Sequence, residues 1–141
     1  MKKMILLISI LCIGAIGIFL WLVGTGEYQS SKENEERVRI RKEDLGKANP
    51  ELLEKLENSR EALEQKVKET PDDSTFWFEL GTNKYQLGDY AGAENALKKA
   101  TELNPVAINA LINLGVLYQD IGEHENAERS FQDVVKRHPN L

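Results

Sequence analysis

The chain has 141 residues, 41% hydrophobic and 29% charged, with a formal net charge of −5. Its sign is unfavourable for nucleic acid, because binding to phosphates is driven by Lys and Arg displacing counterions. The one cysteine, Cys12, leaves no partner for an intrachain disulfide.

Residues 1–3 form a short end carrying Lys2 and Lys3, and residues 4–23 follow as an unbroken run without a charge, MILLISILCIGAIGIFLWLV. A helix of that length spans about 30 Å, the hydrocarbon thickness of a bilayer. A cleaved signal peptide normally has a shorter apolar region and an Ala-x-Ala site, which Gly24-Thr25-Gly26 does not supply. A lipoprotein site at Cys12 is disfavoured by Ile10 and Leu11 before it. The run is therefore expected to be an uncleaved single-pass anchor, with Trp21 at the interface. Lys2 and Lys3 compete with Lys32, Arg37, Arg39, Arg41 and Lys42 for the cytoplasmic side. The later charges are mixed with acids and mostly lie more than a dozen residues away. The expected location is thus the cytoplasmic (inner) membrane, with the rest of the chain on its periplasmic or outer face.

All 23 acidic residues lie beyond residue 26, so the portion after the apolar run is more acidic than the whole. Residues 24–48 are polar and of mixed charge, with only Val38, Ile40 and Leu45 to bury. They read as a solvated linker or an exposed helix, or, through Arg37, Arg39, Arg41 and Lys42, as a contact for anionic lipid or an acidic partner.

At Asn49-Pro50-Glu51 a capping residue, a proline suited to the first helical position and a first-turn acid coincide. One amphipathic helix is predicted over 49–70, its stripe made by Leu52, Leu56, Leu63 and Val67 and its end set by Pro71. From Ser74 onward one pattern occurs twice at a 34-residue spacing: Leu80-Gly81 and Leu114-Gly115, Gly88 and Gly122, Ala93 and Ala127, Pro105 and Pro139. Such a period means stacked helical hairpins. The units are 74–107 and 108–141, each two helices broken at Gly88 or Gly122, with Asp72, Asp73, Asp89 and Glu123 at helix starts. Pro71 precedes Pro105 by the same interval that separates Pro105 from Pro139. The 49–70 helix therefore occupies the place of a preceding unit's second helix and covers the start of the array.

These residues resemble the tetratricopeptide repeat: Trp77, Leu80-Gly81, Gly88-Asp89-Tyr90, Ala93, Ala100 and Pro105 in the first unit, and Leu114-Gly115, Tyr118, Gly122, Ala127, Phe131 and Pro139 in the second. Lys84, Leu111, His124 and Val134 depart from that pattern. The expected fold is all-α: an N-terminal transmembrane helix, then a short α-solenoid of two full helix-turn-helix repeats plus a preceding helix. The resemblance implies a groove lined by the first helices of successive units, here Thr75, Phe78, Thr82, Tyr85 and Gln86, then Asn109, Ile112, Val116 and Gln119. No Lys or Arg stands at these positions, and only Asn113 matches the clamp with which some relatives hold a terminal carboxylate. An apolar or neutral segment, held by Phe78, Tyr85, Ile112 and Val116, is favoured.

No phosphate loop, nucleophile elbow or zinc motif is present in the sequence. His124 and His138 stand well apart, without cysteine or a suitable carboxylate pair beside them, so neither a catalytic residue, a metal nor a cofactor is expected. The expected function is a membrane-tethered scaffold recruiting a protein or peptide partner. The alternatives are an assembly factor resembling the membrane-anchored repeat domains of cytochrome c maturation, suggested by Leu63, Pro71-Asp72-Asp73 and Trp77, and an enzyme or haem handler using His124 or His138. Phe131, Val134 and Val135 on the final helix predict self-association there or a covering partner.

Overall fold

The computed structural model describes residues 30–139. The expected transmembrane segment, residues 4–23, lies outside them, and no helix among the described residues is long and apolar enough to cross a membrane. Those residues form six helices: α1 (residues 30–48), α2 (Pro50–Glu69), α3 (Ser74–Gln86), α4 (Tyr90–Leu103), α5 (Ile108–Asp120) and α6 (His124–Arg137). The chain divides into two compact units between Glu36 and Arg37. In the first, residues 30–36 are helical and largely exposed. The second, from Arg37 onward, holds α2 to α6.

Local chemistry sets the helix starts. Asn49 Oδ1 accepts from Leu52 N, with Pro50 at the first helical position of α2. Asp73 Oδ1 accepts from Thr75 N at α3, and Asp89 Oδ1 from Gly92 N at α4. Each cap satisfies a backbone donor that has no intrahelical partner. The second repeat lacks these bonds, since Ala107 and Glu123 make no side-chain cap to α5 and α6. The turns within the hairpins are nonetheless alike. Gly88 (φ 82°) and Gly122 (φ 80°) stand in the left-handed region, with Gly88 N donating to Tyr85 O and Asp89 N to Lys84 O. Gly122 N donates to Gln119 O and Glu123 N to Tyr118 O in the same arrangement.

Successive helices pack pairwise along the array from α2 to α6. One core cluster joins Ala93, Leu97 and Ala100 of α4 to Ala110, Leu114, Leu117 and Tyr118 of α5 and Ala127 of α6. The other joins Leu63 and Val67 of α2 to Leu80 of α3 and Ala96 of α4. The glycines of the repeat are spacers. A Cβ on Gly81 would come within 2.7 Å of Leu97 Cγ and 3.1 Å of the Leu97 backbone nitrogen. Trp77 packs against both clusters but is only half-buried, its Nε1 donating to Pro71 O at 2.7 Å.

The region read as a linker or exposed helix is a packed helix from Arg37 onward. Lys42 pairs with Glu57 of α2 at 2.7 Å, Arg41 Nε donates to Gln86 O at 3.2 Å, and the Arg37 guanidinium lies 5.1 Å from the Tyr90 ring centroid. Basic side chains offered above to lipid or an acidic partner thus have partners in their own chain.

Candidate peptide-binding groove

Of the nine residues expected to line a groove, α3 carries five and α5 four, and all remain half-buried or exposed. Phe78 sits where two depressions meet. One, of about 530 Å³, lies between the starts of α3 and α5 and takes in Thr75, Val106, Ile108 and Asn109. The other, of about 420 Å³, lies between α2 and α3, with Leu52, Leu56 and Leu63 opposite Thr82 and Gln86. Ile112 is 38% exposed and Val116 half-buried. Gln119, at the end of the same stripe of α5, lines a further depression with Ala127, Phe131 and Val135 of α6.

Polar groups fix the floor. Asn113 Nδ2 donates to Thr82 Oγ1 at 3.0 Å, and Thr82 Oγ1 donates to Phe78 O at 3.0 Å, so the Thr82 hydroxyl is held by the array itself. Asn113, the one match to a carboxylate clamp, is committed to that bond. Beneath the second depression the buried Asn83 donates from Nδ2 to Leu56 O at 3.0 Å and keeps an unpartnered Oδ1.

At the far end Tyr85 stacks on Tyr90, ring centroids 5.5 Å apart, and donates from its hydroxyl to Asp120 Oδ2 at 2.5 Å. That bond, with partial burial and the Asp120 charge, pushes the phenol up to about 12. Tyr118 donates to Glu94 Oε1 at 2.8 Å, and burial, then that carboxylate, raises its phenol as well. The hydrogen bond from Lys42 is the largest influence holding the Glu57 carboxyl below its ordinary value. Lys84, a departure from the repeat pattern, bridges Glu64 of α2 at 3.3 Å and Asp89 of the turn at 3.5 Å.

The expectation that no Lys or Arg lines the groove is true of α3 and α5 and incomplete for the site. Lys55 of α2 borders the second depression, and Arg41 of α1 binds the Gln86 carbonyl. Their approach has no signal in the repeat pattern, because both come from outside it. His124 is exposed on the α6 depression, whereas His138 ends α6 with Nε2 buried and unpartnered. Among the described residues no three His, Cys, Asp or Glu side chains gather as metal ligands.

Comparison with known proteins agrees with this geometry. Residues 78–141 match the tetratricopeptide repeat family. The chain is 31% identical over 71 residues to the Caenorhabditis elegans protein O-mannosyl-transferase F38B6.6, and 28% identical over 75 residues to human superkiller complex protein 3. These stretches are 50% and 53% of this chain, but 10% and 5% of those proteins. The crystal structure of MamA superposes with a TM-score of 0.57 at 23% identity, covering 80% of this chain and 73% of that one. The second such domain of Spaghetti (RPAP3), solved bound to the HSP90 peptide SRMEEVD, superposes with a TM-score of 0.55 at 17% identity, covering 77% and 96%. By family match over residues 78–141 and by fold, the C-terminal part of this chain is similar to tetratricopeptide repeat proteins.

Proposed function

We propose that this protein is a membrane-tethered interaction module that holds a peptide segment of a protein partner along α3 and α5. The observation that carries the reading is the pair of apolar depressions meeting at Phe78, beside an exposed Ile112 and an accessible Val116. An extended or helical segment could seat two side chains there, while Thr75 and Asn109 offer polar groups at the rim. The RPAP3 domain, which holds a peptide on this fold, supports the class of ligand. Its acidic peptide is not the best match. The α3 and α5 faces carry no cation, so apolar side chains supply most of the affinity and Lys55 reads at most one acidic residue. Tethering rests on the uncharged run 4–23, and the topology on Lys2 and Lys3.

Site-specific photo-crosslinking in native membranes tests the groove. Probes at Thr75 and Ile112 are expected to capture one and the same partner, which a probe at Glu61, on the exposed face of α2, does not. Phe78→Ala should weaken that capture about tenfold or more, as truncation of a central apolar anchor does. Equal labelling at all three positions, or indifference to Phe78→Ala, would refute the groove. A reporter active only outside the cytoplasm, fused after Leu141, tests the topology separately.

A further inference from the structure

The outer edge of α6 repeats, one period further along the chain, the surface of α4 on which α5 is seated. In the first unit Ala93 and Leu97 are wholly buried among α3 and that covering helix, and Glu94 receives the Tyr118 hydroxyl. Their counterparts Ala127, Phe131 and Glu128 instead line a depression of about 620 Å³ with Gln119, Val135 and Lys136. The uncovered edge is more apolar than the covered one. Phe131 stands at the place of Leu97, and Val135, 69% exposed, at the place of Thr101. Among the described residues no helix covers this edge.

From this we infer that α6 is an interface between two copies of the chain, packed antiparallel across a two-fold axis near Gln132. The charges choose the occupant and the direction. Glu128 and Lys136 are both exposed, lie about two helical turns apart and border the same depression as Val135. Antiparallel packing about Gln132 brings each Glu128 beside Lys136 of the other copy and lays each Val135 between Glu128 and Phe131 of the other. Parallel packing sets like charges together. A surface that answers itself in this way is what a two-fold interface requires. One helix per copy lies below the standard interface of about 1,600 Å², so the dimer is weak and concentration-dependent. The interface lies on α6, and of the groove residues on α3 and α5 only Gln119 borders it.

Sedimentation equilibrium of the full chain in density-matched detergent decides the matter. The wild type is expected to pass from monomer to dimer with concentration. Val135→Glu should raise the dissociation constant at least about tenfold with helix content unchanged, because that side chain takes no part in the core of its own copy. Glu128→Lys alone should weaken the dimer, and Glu128→Lys with Lys136→Glu should restore it. A monomer at every concentration would overturn the proposal. So would association indifferent to Val135→Glu, which would assign it to another part of the chain, or a double variant no tighter than the single one.

Discussion

Two glycines share one backbone conformation and differ in what surrounds them. Gly88 and Gly122 have φ near 80°, so an L side chain is strained at either. A Cβ at Gly122 meets nothing within 4 Å, whereas one at Gly88 meets Arg41 Cβ at 2.9 Å and the Arg37 carbonyl oxygen at 3.4 Å. Gly122→Ala should therefore cost about 1 kcal/mol, the strain alone, and Gly88→Ala about 1–2 kcal/mol more for the displaced α1. Urea titration of both variants measures the difference, and equal losses would mean that α1 is not seated on the turn. Tyr85 gives a pH signature at the same scale. Its phenol is pushed up to about 12 chiefly by the bond it donates to Asp120, so the folded chain keeps a proton that the unfolded chain loses from about pH 10. The stabilisation is complete below pH 10 and disappears as the pH rises through 12. Phenolate absorbance should show Tyr85 ionising late, with Tyr118 also displaced upward. Tyr85→Phe should remove one late phenol and flatten part of the stability loss between pH 10 and 12.

At the scale of elements, what the sequence made legible follows from how local each signal is. Asn49-Pro50, Asp73 and Asp89 act on donors within three residues, and the helices they start begin where those residues stand. The spacing of Gly81 from Gly115 and of Leu97 from Phe131 carries the pairing of helices, because a close crossing needs a small residue opposite a large one. Both glycines do face those side chains. The seat of α1 was not legible. Its contacts are made by Arg37, Arg41 and Lys42 to a ring, a carbonyl and a carboxylate, all three far away in sequence. A cation-rich stretch without an apolar stripe reads as solvated until the fold supplies those partners. Gln119 follows Ile112 by seven residues, about two helical turns, so it keeps the same stripe of α5, and at its end of the helix that stripe borders α6. The role of Lys84 needed the fold too, since Glu64 and Asp89 flank it only when α2, α3 and the turn are assembled.

Across the whole molecule, stability should be graded along the array. In a stack of repeats each helix gains from the neighbours that cover it, and interior elements open only with the array. α4 is enclosed by α3 and α5, and Ala93, Leu97 and Ala100 are wholly buried. α6 packs on α5 and leaves Val135 in solvent. Amide exchange in dilute protein should therefore be slowest around Leu97 and Ala100, and faster around Val134 by about 10–100-fold, on the order of the range that separates an element covered on one side from one covered on both. The same measurement bears on the antiparallel α6 pair. As concentration passes the dissociation constant, the second copy covers the edge that α5 covers in the first unit. Protection in α6 should then rise toward that of α4, while α2 and α3 stay unchanged. Val135→Glu should hold α6 at its dilute value at every concentration. A uniform rise along the array would mean that association stabilises the fold as one body rather than through its exposed edge.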